Sequence, residues 1–294
     1  MSYFLLPRIY NKYIIQNIII EFQEKNENYI NDSISQYLKQ LKGQIELNMG
    51  DWERFKKMTN AYEYIHTNVP HSGYSISLLK PISRSFFKLV EIYNLLDINF
   101  KNNIKSFHLA EGPGGFVEGI KFIRNNPNDI YHGMTLISNK NPSIPGWKKA
   151  QKLIQTSNIR IIVGPDKSGD LYNPINLEYC RDKFYHSMDF ITGDGGFDFS
   201  IDYNKQEELA LRLIFSQVAF AITMQKYGGV FILKMFDIFL KPSIDILFIL
   251  SSLYEKVLII KPRTSRIANS ERYIVCKNFL LKKGPSSNEL IQKF

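Results

Sequence analysis

One stretch near the middle of the chain limits the possible folds more than any other. Residues 104–110 are mostly apolar and predict a strand, which ends sharply at the Gly-Pro-Gly-Gly sequence of residues 112–115. A helical pattern follows at once, with Phe116, Val117 and Ile120 on one face. Glycines let a backbone approach a ligand closely, and the start of a helix offers unpaired N–H groups. The stretch therefore predicts the nucleotide-binding turn of an α/β fold.

Strands and helices alternate through the rest of the chain. Short apolar or β-branched runs predict six further strands, at residues 130–137, 159–163, 188–192, 230–234, 257–260 and 272–276. Apolar residues at helical spacing predict helices at residues 83–92, 147–154, 205–227 and 243–253. This alternation predicts an α/β fold, with a mostly parallel seven-stranded sheet flanked by helices.

The length of 294 residues suits one large α/β domain with an extension, or two small domains. Residues 1–66 predict a helical N-terminal extension, because apolar residues recur at helical spacing over residues 29–47. The α/β domain is predicted over residues 67–282. Residues 283–294 are mainly polar and predict a C-terminal tail.

The charge balance indicates the class of partner. Lys and Arg outnumber Asp and Glu by 37 to 28, which gives a net charge of +9. Such a balance suits a polyanion, nucleic acid before others, although it also serves solubility alone. Charged residues interrupt the apolar runs of residues 1–22, so we expect neither a signal peptide nor a membrane span.

The two cysteines indicate the compartment. Cys180 and Cys276 are far apart and have no Cys or His companions at the spacing of metal ligands. We therefore expect no metal site and no disulfide framework. This cysteine usage suits an intracellular, reducing compartment and does not separate cytoplasm from nucleus.

The glycine turn does not suit a dinucleotide. Residues 112–115 lack the G-x-G-x-x-G spacing, and the second strand ends at residues 135–138 without the acidic residue that binds a ribose. A nicotinamide-dependent oxidoreductase is therefore disfavoured. A proline inside the loop, followed by two glycines, instead resembles the S-adenosylmethionine loop of Rossmann-like methyltransferases.

Four charged residues stand at informative places in the predicted fold. Lys88 lies on the helix before the first strand, and Asp194 follows the fourth strand in an Asp-Gly-Gly sequence. Lys234 ends the fifth strand, and Glu271 opens the last one. In open α/β sheets, ligands bind outside the carboxyl ends of the strands, where Asp194 and Lys234 fall.

With these residues in this order, the chain resembles the FtsJ-type family of RNA ribose 2′-O-methyltransferases over about residues 66–280. Several details are more similar to the mRNA cap-methylating branch than to the ribosomal RNA branch: Asp-Gly-Gly-Phe at 194–197, Gly-Met-Thr-Leu at 133–136, Ser-Gly-Asp-Leu at 168–171 and Arg-Thr-Ser-Arg at 263–266. The resemblance implies a Rossmann-like fold and methyl transfer from S-adenosylmethionine to the ribose of the first transcribed nucleotide of capped mRNA. The implied partners are capped RNA and other subunits of a capping apparatus, and no membrane.

The resemblance also implies which residues act. Lys88, Asp194, Lys234 and Glu271 match the family's catalytic tetrad, with Lys234 at the ribose hydroxyl and Asp194 orienting it. The implied cofactor contacts are Glu111, Gly112, Pro113, Gly114, Gly115, Phe116, Asp166, Asp170, Leu171 and Asp194. The candidates for holding the RNA backbone are Lys56, Lys57, Arg84, Arg263 and Arg266. A metal is not required, because the methyl donor is already activated.

Two positions depart from the family pattern. His108 stands where many members carry an aspartate, and Glu111 stands where the family often has a small residue. Either Glu111 takes over a contact with the cofactor, or the loop holds the cofactor differently.

Three interpretations remain open at this point. The first is the cap methyltransferase, and the second is methylation of ribosomal or transfer RNA by the same chemistry. The third is a catalytically silent RNA-binding or regulatory subunit of a capping complex, against which the intact set of four charges argues. The aromatic and basic residues of 52–64 suit an RNA-facing surface, although a helix with one packed and one solvated face is the commoner cause.

Overall fold

A computed structural model describes residues 3–9, 17–21, 29–138, 141, 144–196 and 203–294. The strands of this part, in chain order, are β1 (Tyr3–Leu5), β2 (Lys105–Leu109), β3 (Ile130–Met134), β4 (Ile159–Ile161), β5 (Met188–Gly193), β6 (Gln225–Met235), β7 (Tyr254–Ile260) and β8 (Arg272–Phe279). The α-helices are α1 (Asp32–Glu46), α2 (Met49–Met58), α3 (Ser85–Leu95), α4 (Gly115–Arg124), α5 (Gln151–Ile154), α6 (Pro174–Phe184), α7 (Gln206–Met224), α8 (Lys241–Leu253) and α9 (Pro285–Lys293).

The strands form one sheet in the order β1-β7-β8-β6-β5-β2-β3-β4. Strands β4, β3, β2, β5 and β6 run parallel to one another, whereas β8 runs antiparallel to both β6 and β7. The predicted α/β class and its seven main strands are confirmed. The structure adds β1, which pairs antiparallel with the edge strand β7. Three residues are too few to give a periodic signal, so the sequence did not reveal this strand.

Helices cover both faces of the sheet. Side chains alternate between the faces along a strand, so Phe231 and Leu233 pack on the side of α7 and α8. Val230 and Ile232, which alternate with them along β6, pack on the opposite side, against α3 and α4. Because both faces are buried, the strands are nearly continuous apolar runs. This arrangement leaves the strand ends as the place for polar chemistry.

The long helix α7 is shorter than predicted. It ends at Met224 instead of residue 227, because β6 already begins at Gln225 and pairs there with Met188. The register between β5 and β6 shifts after this pair, which is a bulge. Gly228 lies within this bulge and has a φ of +78°, a left-handed conformation that glycine adopts without strain.

The C-terminal segment also differs from expectation. Instead of a polar tail, residues 285–293 form α9, whose Leu290 and Ile291 are buried in the core beside α7. The Tyr185 hydroxyl shares a hydrogen bond with Ser287 at 2.6 Å. Two adjacent apolar residues anchor this helix in the core, although polar residues dominate the composition of residues 283–294.

Other expectations concern cysteines and membranes. Cys180 and Cys276 are both buried and free. Among the described residues, no helix has the length and apolarity that a membrane span needs. The same residues contain no group of His, Cys, Asp and Glu arranged to hold a metal ion.

Candidate active site

The four predicted charges meet beyond the carboxyl ends of β5 and β6. Lys234 Nζ donates to the backbone oxygen of Asp194 at 2.8 Å and lies 3.4 Å from its Oδ1. Lys88 Nζ lies 2.7 Å from Oε1 and 2.8 Å from Oε2 of Glu271. The charge of Lys234 also acts on Glu271, so the two pairs form one alternating cluster.

The Lys88–Glu271 pair is buried more deeply than the sequence suggested. A lysine and a glutamate usually lie at the surface, but Lys88 is only 8% exposed and Glu271 only 7%. Burial alone raises the pKa of Glu271, but the charges of Lys88 and then Lys234, with hydrogen bonds from Lys88 and Ser265, lower it to about 2. Glu271 is therefore ionised, and each buried charge compensates the other.

Tyr273 is a member of the site that sequence reasoning missed. Its ring is fully buried and stacks on Phe116, with the ring centroids 6.0 Å apart. Its hydroxyl donates to Asp194 Oδ1 at 2.8 Å. Burial, followed by the charge of Asp194, raises the pKa of Tyr273 well above its usual value, so the hydroxyl remains a donor. The available signal was the period of two along a strand, which places residue 273 on the same side as Glu271.

Lys261 was missed as well. It follows β7 and donates to the backbone oxygen of Glu271 at 2.9 Å and to Asn269. Burial is the main cause that lowers the pKa of Lys261 to about 8, with the charges of Arg272 and Lys88 contributing. Its position immediately after a strand, like that of Asp194, was the signal in the sequence.

The glycine turn differs from the expectation of free helix-end N–H groups. Helix α4 begins at Gly115, after Gly114 in the left-handed region at a φ of +114°. Glu111 Oε1 accepts hydrogen bonds from the N–H groups of Phe116 at 2.7 Å and Val117 at 3.1 Å. Two donors predicted to be open to a ligand are therefore occupied by the chain's own carboxyl group.

The pKa of Glu111 is also unusual. Burial is the largest cause that raises its pKa to about 8, and the neighbouring charge of Asp194 raises it further. The two backbone hydrogen bonds and the charge of Lys234 act in the opposite direction. Glu111 is therefore mostly protonated at neutral pH, and the charge of Asp194 beside it favours a positively charged ligand and disfavours a pyrophosphate.

This protonation predicts a pH dependence of stability. The folded pKa of about 8 exceeds the usual 4.5, so folding takes up a proton between these values. Stability therefore falls as the pH rises from about 4.5 to about 8. Glu111→Gln removes this dependence, so its stability relative to the wild type should increase from pH 5 to pH 8. Urea unfolding of both proteins at the two pH values measures it; a pH-independent difference would contradict the shifted pKa.

Glycines make the cleft narrow. A Cβ on Gly112 would lie 2.8 Å from the backbone oxygen of Gly146, and the Gly112 N–H donates to Thr135 Oγ1 at 3.0 Å. A Cβ on Gly195 would lie 2.9 Å from the Cβ of Ala110, so the loops after β2 and β5 face each other closely. Any side chain at either glycine would push these loops apart.

A third loop, residues 164–171, adjoins the same cleft. Gly169 packs against the backbone of Thr135, the residue that also binds the glycine turn. Of the predicted cofactor residues here, Asp166 accepts from Ser168 and from Asn173 Nδ2, and Asp170 accepts from the N–H of Tyr172. Leu171 is buried in the core. These contacts shape the loop, and a role in binding the cofactor remains a prediction.

His108 proves to be part of the sheet. Its two ring nitrogens lie 2.8 Å from Ser106 Oγ and from Thr192 Oγ1, and the side chain is fully buried. Burial, followed by the charge of His132, lowers the pKa of His108 to about 3, so the ring is neutral. The departure at residue 108 therefore concerns the interior, and only the one at Glu111 concerns the cleft.

The predicted RNA-binding residues fall into two groups. Arg84 and Arg266 are both bound to the buried carboxylate of Glu63, and Arg263 Nη1 donates to the hydroxyl of Tyr62 at 3.1 Å. Lys56 and Lys57 belong to α2, but their side chains lie outside the described residues. Arg84 and Arg266 therefore have structural partners that the sequence did not reveal.

The fold and the cleft define a class of protein. A Rossmann-like sheet with a glycine turn after β2, facing an acidic residue after β5, suits a nucleoside whose attached group is positively charged. The charge of Asp194 matches a sulfonium, and the close approach of backbone at Gly112 and Gly195 matches a tightly held ligand. This is the class of S-adenosylmethionine-dependent methyltransferases.

The comparison with protein families identifies the family within this class. The family model described as FtsJ-like methyltransferase matches residues 81–279. The chain therefore belongs to the FtsJ-like methyltransferase family, and its cofactor is S-adenosylmethionine.

Several individual relatives are named as RNA methyltransferases. A Drosophila melanogaster protein named cap-specific mRNA (nucleoside-2′-O-)-methyltransferase 2 is 30% identical over 216 residues, which are 67% of this chain and 30% of the relative. A cap-specific mRNA (nucleoside-2′-O-)-methyltransferase of Autographa californica nuclear polyhedrosis virus is 32% identical over 188 residues, covering 63% of this chain and 69% of the relative. A ribosomal RNA methyltransferase structure from Plasmodium falciparum aligns with a TM-score of 0.48 at 22% identity, over 67% of this chain and 98% of its own. The chain thus spans about a third of the Drosophila protein.

Proposed function

We propose that the chain transfers the methyl group of S-adenosylmethionine to a ribose 2′-hydroxyl of RNA, at the first transcribed nucleotide of capped mRNA. The observation that carries the proposal is the cluster of Lys88, Asp194, Lys234 and Glu271 at the strand ends beside the cleft. The names of the relatives support the cap as the substrate. A groove lined by Lys80, Lys121, Lys149 and Lys152 adds positive surface suited to a polyanion.

Lys234 is the group that we place at the hydroxyl. A ribose hydroxyl is a poor nucleophile at neutral pH, so its reaction requires stabilisation of the developing alkoxide, whose proton passes to solvent as the oxygen–carbon bond forms. The ammonium of Lys234 is held by the backbone oxygen and Oδ1 of Asp194, and Tyr273 holds Oδ1 from the other side. These contacts orient the cation with few degrees of freedom. The bound cofactor supplies a methyl group that is already activated for transfer.

Lys88 and Glu271 support the Lys234–Asp194 pair through their charges. Glu271 is ionised and lies near enough for the charge of Lys234 to affect it. The carboxylate attracts the ammonium of Lys234, so Glu271 helps to hold that group in place. Accurate placement of two reactants can lower a barrier by about 7–11 kcal/mol, so we expect positioning to be the main contribution of the cluster.

A pocket next to the cluster suits the cap. It encloses about 240 Å³ and is lined by residues of α1 and of the segments around residues 204–208 and 237–240, with Tyr29, Lys39, Lys42, Glu208 and Asp237 among them. Asp237 lies three residues after Lys234 and pairs with Lys42 at 2.6 Å and with Arg272 at 3.5 Å. An aromatic ring and carboxylates suit a cationic methylated guanine, and lysines suit its phosphates.

Tyr29 provides the test of this pocket. We expect Tyr29→Leu to raise KM for a short capped RNA about tenfold, the equivalent of one stacking contact, with little change in kcat. KM for the same RNA without a cap should not change. Tyr227→Leu is the matched control, because Lys282 Nζ lies 5.1 Å from the centroid of the Tyr227 ring, as Lys39 Nζ lies 4.2 Å from that of Tyr29. Equal use of capped and uncapped RNA by the wild type would instead support ribosomal or transfer RNA as the substrate.

We further propose that the chain works beside other subunits of a capping apparatus, since a capped 5′ end has to be made before it is methylated. Co-purification of the chain with RNA guanylyltransferase activity from its source tests this proposal. Isolation of the chain without such activity would contradict it.

A further inference from the structure

We propose that Glu63 of the N-terminal extension is a positioning residue that holds the Lys88–Glu271 pair in its catalytic arrangement. The inference rests on the methyl transfer proposed above. Glu63 lies in the short 3₁₀ helix Ala61–Ile65, outside the residues that match the family. Its side chain is only 2% exposed, and charged side chains are rarely so buried unless they are paired.

Two arginines from different parts of the domain meet at Glu63. Arg84 Nη1 lies 2.7 Å from Oε2, and Arg266 donates to both carboxylate oxygens, through Nη2 at 2.8 Å and Nε at 3.1 Å. Burial raises the pKa of Glu63, but the hydrogen bonds and charges of Arg266 and Arg84 outweigh it and lower the pKa to about 2. Glu63 is therefore an ionised bridge between two segments.

The two segments are those that carry the catalytic pair. Arg84 immediately precedes α3, four residues before Lys88, and Arg266 lies five residues before Glu271. Arg84 also donates through Nη2 to the backbone oxygen of Thr264 at 2.8 Å. The same arginine thus joins the start of α3 to the loop that leads to Glu271.

Further bonds fix that loop from both sides. Glu91, on α3 with Lys88, accepts from the N–H groups of Arg263 at 2.8 Å and Thr264 at 3.0 Å. The buried amide of Asn60, on the extension, donates to the backbone oxygen of Ser265 at 3.4 Å. The loop is therefore held by α3 and by the extension together.

The last bond of this series reaches the catalytic carboxylate. Ser265 is buried, and its Oγ donates to Glu271 Oε1 at 2.7 Å, the same oxygen that lies 2.7 Å from Lys88 Nζ. The position of Glu271 thus depends on the loop, and the position of Lys88 depends on α3. Glu63 connects the two supports, so its loss should loosen the pair without removing any of its members.

Glu63→Gln tests the proposal. We expect kcat for methyl transfer to fall between about tenfold and a hundredfold, as for a small misplacement of a catalytic group, with KM for RNA unchanged. Glu63→Asp keeps the charge and should retain more of kcat than Glu63→Gln. The N–H groups of Arg263 and Thr264 should exchange with solvent deuterium faster in Glu63→Gln than in the wild type.

Asp129→Asn is the matched control. Asp129 is likewise a buried carboxylate bound by an arginine, Arg124 at 2.8 Å, and by the N–H of Ile104, but it lies before β3 at the opposite end of the strands. This variant tests for the general cost of losing a buried ion pair. It should lose stability and keep the wild-type kcat in the folded protein.

Two results would overturn the positioning role. One is a folded Glu63→Gln protein with the kcat of the wild type, and the other is a change in KM for RNA alone, which would indicate that the freed arginines contact RNA. If the wild type itself transfers no methyl group to RNA, the proposed function fails, and the hydrogen exchange of residues 263 and 264 still decides whether Glu63 holds the loop.

Discussion

Lys234→Ala should lower the rate of methyl transfer to RNA by roughly 10²–10³-fold, the usual cost of removing one group that stabilises a developing oxyanion. The affinity for S-adenosylmethionine should change little, because the described contacts of Lys234 Nζ are with Asp194 and not with the glycine turn. Radiolabelled methyl incorporation gives the rate, and calorimetric titration of the cofactor gives the affinity.

A second lysine of the same strand provides the control. Lys226 lies at the beginning of β6 and pairs with Asp189 at 2.7 Å, as Lys234 pairs with Asp194 near its end. The side chain of Lys226 is 56% exposed and far along the strand from the cleft, so Lys226→Ala should keep full activity. Undiminished methyl transfer by Lys234→Ala would show that another group acts on the hydroxyl.

Lys88→Ala should have the largest effect on stability. It leaves the carboxylate of Glu271 buried without its nearest cation, and breaking a buried pair on one side costs about 3–5 kcal/mol of unfolding free energy. Methyl transfer should be lost together with the pair. Urea unfolding at neutral pH measures the first effect, and methyl incorporation below the unfolding transition measures the second.

A double variant separates the two effects. Lys88→Met with Glu271→Gln removes both charges and keeps similar volumes, so it should regain most of the stability that Lys88→Ala loses. It should nevertheless remain inactive, because the ammonium of Lys234 then lacks the Glu271 carboxylate that helps to hold it in place. A stable and active double variant would assign the pair a purely structural role.

The positions of Asp194 and Lys234 followed from the sequence, because both residues lie at the predicted carboxyl ends of strands. The period of the apolar residues predicted the strands, and ligands of parallel sheets bind beyond the carboxyl ends. Asp194 and Lys234 were therefore expected together, and the structure places them 3.4 Å apart. Lys88 and Glu271 followed only from the family resemblance, since 183 residues separate them in the chain.

The contacts that the sequence did not reveal join segments that come together only in the folded protein. Glu111 looked like a ligand contact, and its use of the N–H groups of α4 depends on the geometry of the turn. Arg84 and Arg266 looked like phosphate contacts, and nothing near them in sequence indicated Glu63. Local patterns describe elements, whereas these pairings arise from the packing of the extension on the domain.

The most direct test of the proposed methyl transfer is label transfer from S-adenosylmethionine to two capped RNAs that differ in one atom. One has an ordinary ribose at the first transcribed nucleotide, and the other has 2′-deoxyribose there. Asp194→Ala serves as the inactive control, since it removes the carboxylate that holds Lys234. We expect label in the first RNA and none in the second; equal label in both, or none in either, would contradict 2′-O-methyl transfer at the cap.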